Sequence, residues 1–186
     1  MTSEKTGIRR AEIGSAIAVL LSVLAVVVSF YQARIAEKQA HASVWPYVTV
    51  GYNLSEVGDD RGFALTVDND GLGPALIESV VLSVDGLPRT SWADVIAALG
   101  LQTGFMRSTS SVSGRVLPPD INRETTISAI RVSSLPEAKV FFHAIPRLKI
   151  DVCYCSVYEE CWIAHFRALH VDKVARCVQA PLDFTD

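Results

Sequence analysis

Four cysteines carry the strongest chemical signal in the chain, because Cys153, Cys155, Cys161 and Cys177 all fall in its last fifth. An even number of closely spaced thiols in an oxidising compartment reads first as two disulfides, for which three pairings exist in principle. Leu148 to Val157 and Cys161 to Leu169 read as a hairpin around Tyr158-Glu159-Glu160, and a register centred on Tyr158 sets Cys155 opposite Cys161. The favoured pairing is Cys155 with Cys161 and Cys153 with Cys177. A metal site is the competing reading: Cys153-x-Cys155 and Cys161-x-x-x-His165 could present three sulfurs and an imidazole on one sheet face. That would suit a reducing compartment, but the spacing matches no familiar zinc module. Buried thiols or a redox pair complete the alternatives.

The other reactive residue types form no recognisable constellation. His143, His165 and His170 read as core-edge histidines and His41 as a solvated residue beside the membrane, since no Ser or Cys sits in a nucleophile elbow. Asp68, Asp70 and Glu78 invite a calcium reading, yet a calcium loop would need an oxygen donor where Leu72 stands. The sequence has no phosphate-binding Gly-rich loop closed by Lys-Ser or Lys-Thr, no dinucleotide fingerprint and no His-Glu-x-x-His. No catalytic residue, metal ligand set or cofactor is therefore expected, and the chain reads as a non-enzyme, with a membrane-bound thiol or metal enzyme using the cysteine cluster as the rival reading. A formal net charge of −3, with no basic run beyond the amino-terminal region, also argues against a nucleic-acid partner.

The elements that would position the cysteines begin with an anchor. Ile13 to Phe30 carries no charge, and its eighteen residues would rise about 27 Å as a helix, close to a bilayer's hydrocarbon thickness. Ala40-His41-Ala42 has the form of a signal-peptide cleavage site, but it lies past Arg34, Glu37 and Lys38, too far from the apolar run. The expected division is a cytoplasmic tail at 1–10, a transmembrane helix at 11–31, a juxtamembrane helix at 32–43 and a folded domain at 44–186. Lys5, Arg9 and Arg10 precede the run, against Arg34 and Lys38 after it. This bias places the amino terminus inside and the domain outside, a single-pass arrangement in the inner (plasma) membrane with a periplasmic domain. The opposite topology, with a cytoplasmic sensor or effector domain, stays open. Ser15, Ala18, Ser22, Ala25 and Ser29 recur at alternating steps of three and four. They make a seam of small residues through which two helices could associate as a homodimer.

From Trp45 onward the pattern turns extended, punctuated by Gly, Pro, Asn and Asp. Tyr47 to Leu54 and Phe63 to Val67 flank a turn cluster at Gly58 to Gly62, and Leu76 to Val84 is a strand closed by Asp85-Gly86. Ser91-Trp92-Ala93-Asp94 has the form of a capping box for a short helix reaching Leu99. Val112 to Leu117 and Thr125 to Val132 read as strands, and Pro136 to His143 as a second short helix ended by Pro146. Seven or eight short strands without a βαβ rhythm predict a mainly β domain, an antiparallel β-sandwich with one or two short helices.

At Val67-Asp68-Asn69-Asp70-Gly71-Leu72-Gly73-Pro74-Ala75, followed by Val84-Asp85-Gly86, the chain resembles the immunoglobulin-like modules of bacterial surface and envelope proteins. The order of spanning helix, Gln32-Ala33-Arg34-Ile35-Ala36, Ser43-Val44-Trp45-Pro46, this Asn-x-Gly-x-Gly-Pro-Ala stretch and Cys155-Ser156-Val157-Tyr158 is similar to a group of bacterial single-pass membrane proteins with no known reaction. The resemblance implies an immunoglobulin-like sandwich and a protein partner of unknown identity. Asn69, Gly71, Gly73 and Pro74 would form its structural turn, the glycines supplying either positive φ or close backbone approach.

Overall fold

The apolar run and its polar continuation form one helix, α1 (Thr2–Ser43), in the computed structural model, which describes residues 2–58, 61–101, 107–120, 125–178 and 184, with side chains from Gly14 onward. The stretch Gly14–Ser43 is long and apolar enough to cross a membrane. The segments expected as tail, spanning helix and juxtamembrane helix are therefore one continuous helical element over residues 2–43. The chain has no proline before Pro46, and Pro46 disfavours helical geometry at Trp45, just beyond the last helical residue. Residues 1–42 and 43–186 are separate compact units.

The second unit contains β1 (Val48–Ser55), β2 (Gly62–Asn69), β3 (Ala75–Val84), β4 (Leu87–Arg89), α2 (Trp92–Ala98), β5 (Arg107–Thr109), β6 (Val116–Leu117), β7 (Ile127–Val132), α3 (Leu135–Ala144), β8 (Leu148–Cys155), β9 (Cys161–His165) and β10 (Val171–Val174). They make two sheets. One has the order β1-β2-β7-β5 and the other β10-β9-β8-β3-β4, with β6 also on β3. Every pairing is antiparallel. The chain is thus mainly β with an amino-terminal apolar helix. One apolar cluster draws on both sheets, with Phe63, Leu65 and Ile130 from the first and Leu82, Ile150 and Tyr154 from the second. Trp92 of α2 and Phe141 of α3 complete it, and Phe184 packs edge-on against Trp92.

Three elements are shorter than periodicity can register: β4, β5 and β10 have three or four residues each, so strand alternation has no room to repeat. The strand expected at Val112 to Leu117 shrinks to β6, because Arg115 N–H turns back to the Val112 carbonyl and Gly114 takes a φ of 74°. At α2 the Ser91 hydroxyl accepts from Asp94 N–H at 3.2 Å, the N-terminal cap its sequence form implies. In the turn cluster between β1 and β2, Asp59 and Asp60 lie outside the described residues.

Where the chain enters the β unit, the entry segment is held by a buried amide. Asn69 is 1% exposed. Its Oδ1 accepts from Tyr47 N–H and Gly71 N–H, both at 3.1 Å, and its Nδ2 donates to the carbonyls of Gly73 and Leu117 at 2.8 and 3.0 Å. All four hydrogen-bonding positions of the side chain are occupied. Asp70 N–H and Leu72 N–H add bonds to the Tyr47 and Trp45 carbonyls, each 2.8 Å. Gly71 and Gly73 serve close approach and not positive φ: a Cβ would stand 2.3 Å from Tyr47 N at the first and 2.0 Å from Val44 O at the second. Pro74 leads directly into β3 at the fully buried Ala75.

Removing this amide strands four backbone groups. Asn69→Ala in the full chain should lower the unfolding free energy of the β unit by about 2–4 kcal/mol, read from tryptophan fluorescence during denaturant titration. Asn53→Ala, at an exposed position, should stay within about 0.5 kcal/mol of the parent.

Candidate functional site

The cysteines converge on one face of the second sheet because of strand alternation. In β8 the residues Leu148, Ile150, Val152 and Tyr154 are buried toward the core, so Asp151, Cys153 and Cys155 face the other way. In β9 the register places Cys161 opposite Cys155, Ile163 opposite Cys153 and His165 opposite Asp151. The turn that sets this register is closed by Ser156 N–H to the Glu160 carbonyl at 2.8 Å, with Glu159 at a φ of 61°. Val157 and Tyr158 are exposed at its tip.

Cys155 is bonded to Cys161 across the hairpin, their Cα atoms 4.0 Å apart, and Cys153 is bonded to Cys177 with Cα atoms 5.7 Å apart. The segment after β10 therefore folds back over the outer face, which explains why Cys153 and Cys155 are buried on a face that would otherwise meet water. The bonds span sequence separations of 6 and 24 residues; loop-closure entropy gives the shorter about 2.4 kcal/mol and the longer about 3.5 kcal/mol of stabilisation. The two disulfides touch, since Cys155 Sγ lies 3.7 Å from Cys177 Sγ.

A histidine bridge occupies the same face. His165 Nδ1 faces Asp151 Oδ1 at 2.6 Å and Nε2 faces Asp172 Oδ2 at 3.1 Å, tying β9 to β8 and β10. A neutral imidazole has one N–H and can donate to only one of these carboxylates; the imidazolium donates to both. The Asp151 carboxylate, countered by the cost of burial and helped by Asp172, raises the His165 pKa above its ordinary value. Lys149 shares Asp151 at 3.0 Å, and the His170 ring lies 6.2 Å from that of His165. Lys173 of β10 binds Glu160 at 2.8 Å and sits 5.6 Å over the Trp162 ring.

This bridge was not anticipated from the sequence, although the register centred on Tyr158 that sets Cys155 opposite Cys161 also sets Asp151 opposite His165. Chemically, the face offers disulfide exchange and proton-dependent pairing. Cys155, Cys161 and Cys177 have sulfurs within 4.8 Å of one another, but sulfurs bonded in pairs present no thiolate to a metal. Both nitrogens of His165 are turned to carboxylates, so the three-sulfur-and-imidazole arrangement is not assembled.

The remaining candidate residues lie elsewhere. In α1 the hydroxyl of Ser22 donates to the carbonyls of Ala18 and Val19 at 2.8 and 2.9 Å, and that of Ser29 to Ala25 at 2.8 Å. Those hydroxyls are satisfied within their own helix. Ser15 is on the same helix, and the seam is exposed along its described length. Of the residues considered for calcium, Asp70 accepts from the Thr49 hydroxyl at 2.8 Å. A polar hollow of about 670 Å³ opens on the first sheet, lined by residues that include Thr49, Asn53, Thr66, Asp68, Asp120 and Arg131.

The raised pKa of His165 makes the bridge's stabilisation full below the ordinary histidine value of 6.5. It is lost as pH climbs through the higher folded-state pKa. The melting temperature should accordingly fall as pH rises above that value, and His165→Gln should flatten that part of the profile. Thermal melts across a pH series on both proteins check this.

The chain matches no curated protein and no solved structure. A family model does match, over residues 13–166, taking in most of α1 and the β unit through β9 and stopping before β10 and Cys177. By that match, which covers most of its length, the chain belongs to the family described as a domain of unknown function, DUF8453.

Proposed function

We propose that this is a non-enzymatic bacterial envelope protein. In this reading the protein crosses the inner membrane once, amino terminus inside, and holds an immunoglobulin-like β-sandwich in the periplasm as a module for protein interaction. The observation that carries the reading is the pairing of all four cysteines as disulfides in the unit that follows an apolar helix. Structural disulfides persist in oxidising compartments and are rare in the bacterial cytoplasm. The excess of Lys and Arg before the apolar run supports the same orientation. Two antiparallel sheets contributing to one core support the sandwich. A partner would meet its loops, its exposed strand edges or the polar hollow on the first sheet.

The seam of Ser15, Ala18, Ser22, Ala25 and Ser29 supports homodimerisation through α1. Small side chains let helix backbones approach closely in lipid, where dispersion contacts drive association. Because Ser22 and Ser29 spend their hydroxyls on their own helix, the contact would rest on fit and less on hydrogen bonds across the interface.

Two experiments test these readings. A membrane-impermeant maleimide applied to intact cells should label the cysteines only after reduction; labelling without reductant that requires permeabilised membranes would overturn the periplasmic assignment. For the helix, Ala18→Leu, Ser22→Leu and Ala25→Leu combined should reduce self-association severalfold in a membrane dimerisation reporter, and an undiminished signal would remove the seam from the mechanism.

A further inference from the structure

We propose that the four cysteines form a thiol–disulfide relay in which Cys177 receives electrons from a dithiol reductant and passes them to the buried hairpin disulfide. The observation beneath it is the 3.7 Å contact between Cys155 Sγ and Cys177 Sγ, atoms that belong to different disulfides. Cys177 Sγ thus stands beside the hairpin disulfide, within 4.8 Å of both Cys155 Sγ and Cys161 Sγ. A bond between Cys155 and Cys177 requires the sulfurs to close by about 1.7 Å to reach normal disulfide length and Cys177, once freed from Cys153, to swing into line with the Cys155–Cys161 bond, movements on the scale of a side-chain rotation.

Accessibility assigns the direction. Cys161, Cys153 and Cys155 are 4%, 7% and 9% exposed, whereas Cys177 lies half-buried between exposed Arg176 and Val178. An external thiolate therefore meets Cys177 first. It attacks Cys177 Sγ, the Cys153–Cys177 bond breaks, and its electron pair leaves on Cys153, which takes up a proton. The second thiol of the reductant then displaces Cys177, so the reductant is oxidised to a disulfide and Cys153 and Cys177 are both reduced.

The next step is internal and redox-neutral. The Cys177 thiolate attacks Cys155 Sγ, a Cys155–Cys177 bond forms, and the Cys155–Cys161 bond breaks with its electron pair on Cys161. The proton released by Cys177 balances the one gained there. Cys161 Sγ lies 3.5 Å from the Glu159 carbonyl oxygen, so the new thiol has an acceptor for its S–H. The product carries thiols at Cys153 and Cys161, and the segment after β10, released when Cys153 and Cys177 are both reduced, is joined to β8 again through Cys155. A disulfide with little exposure is thereby opened from one that solvent meets at Cys177.

The test uses the full chain in detergent, treated with limiting dithiothreitol, quenched with acid and alkylated. Peptide mass spectrometry then maps the pairs, with cleavage after Tyr154 separating Cys153 from Cys155 and cleavage after Tyr158 separating Cys155 from Cys161. The expected once-reduced species has alkyl groups on Cys153 and Cys161 and a Cys155–Cys177 bond. Thiols found only as the original pairs, Cys153 with Cys177 or Cys155 with Cys161, would overturn the relay. So would a spread over every pairing matching that of the chain reduced in denaturant. In Cys153→Ser the free Cys177 should exchange with the intact hairpin bond and expose Cys161 to alkylation; label confined to Cys177 after prolonged incubation refutes the transfer step even if the wild-type chain unfolds on reduction.

Discussion

A primary amide buried in a protein must find partners for two donors and two acceptor positions, and at Asn69 every one is a backbone group. These partners come from three parts of the chain: the segment leaving the helix, the turn that follows β2, and β6 on the second sheet. Leu117, whose carbonyl takes one bond, pairs with Ala75 at the start of β3. The side chain therefore joins the end of β2 in the first sheet to the start of β3 in the second, six residues later. Gly71 and Gly73 follow from the same constraint, because the backbone of Val44 to Tyr47 lies where their Cβ atoms would be. The backbone bonds from Asp70 and Leu72 to the Tyr47 and Trp45 carbonyls hold the same entry segment beside it.

Register performs the corresponding task at the other end of the domain. Once the turn after β8 is closed between Ser156 and Glu160, every cross-strand pair in the hairpin is determined, and a slip of one residue would turn the cysteines toward the core. The disulfides and the histidine bridge are thus two consequences of one geometric choice. Both act on β10, a strand of four residues with two exposed charges and little apolar area. Such a strand would fray on its own pairing alone. It is held by Asp172 to His165, by Lys173 to Glu160 and Trp162, and covalently through Cys177 just beyond it.

The sequence was most legible where a pattern had room to repeat. The apolar helix, the paired β1 and β2, the long β3, both short helices and the β8–β9 hairpin all announce themselves through periodicity, caps or turn residues. The short strands do not, because three or four residues contain at most two turns of an alternation. Asn69 was legible as a turn residue but not as a structural centre: its partners at Tyr47 and Leu117 are 22 and 48 residues away, and no local rule relates those separations. The His165 bridge is a different case. Its Asp151 half was implied by the register centred on Tyr158, while its Asp172 half depended on β10, which periodicity did not reveal.

Polar groups in this chain are placed by the same requirement on both sides of the helix end. Within the apolar helix, Ser22 and Ser29 turn their hydroxyls back to carbonyls one turn earlier, which satisfies them without any outside partner. In the β unit, Asn69 reaches across the chain because burial removes water as a partner there too. The difference lies in what each solution produces. A hydroxyl satisfied inside its own helix asks nothing of the rest of the chain, whereas an amide satisfied only by distant backbone makes the fold depend on bringing those segments together. The helix therefore satisfies these polar groups without depending on tertiary structure, and the domain's specificity of fold is concentrated where the chain enters it.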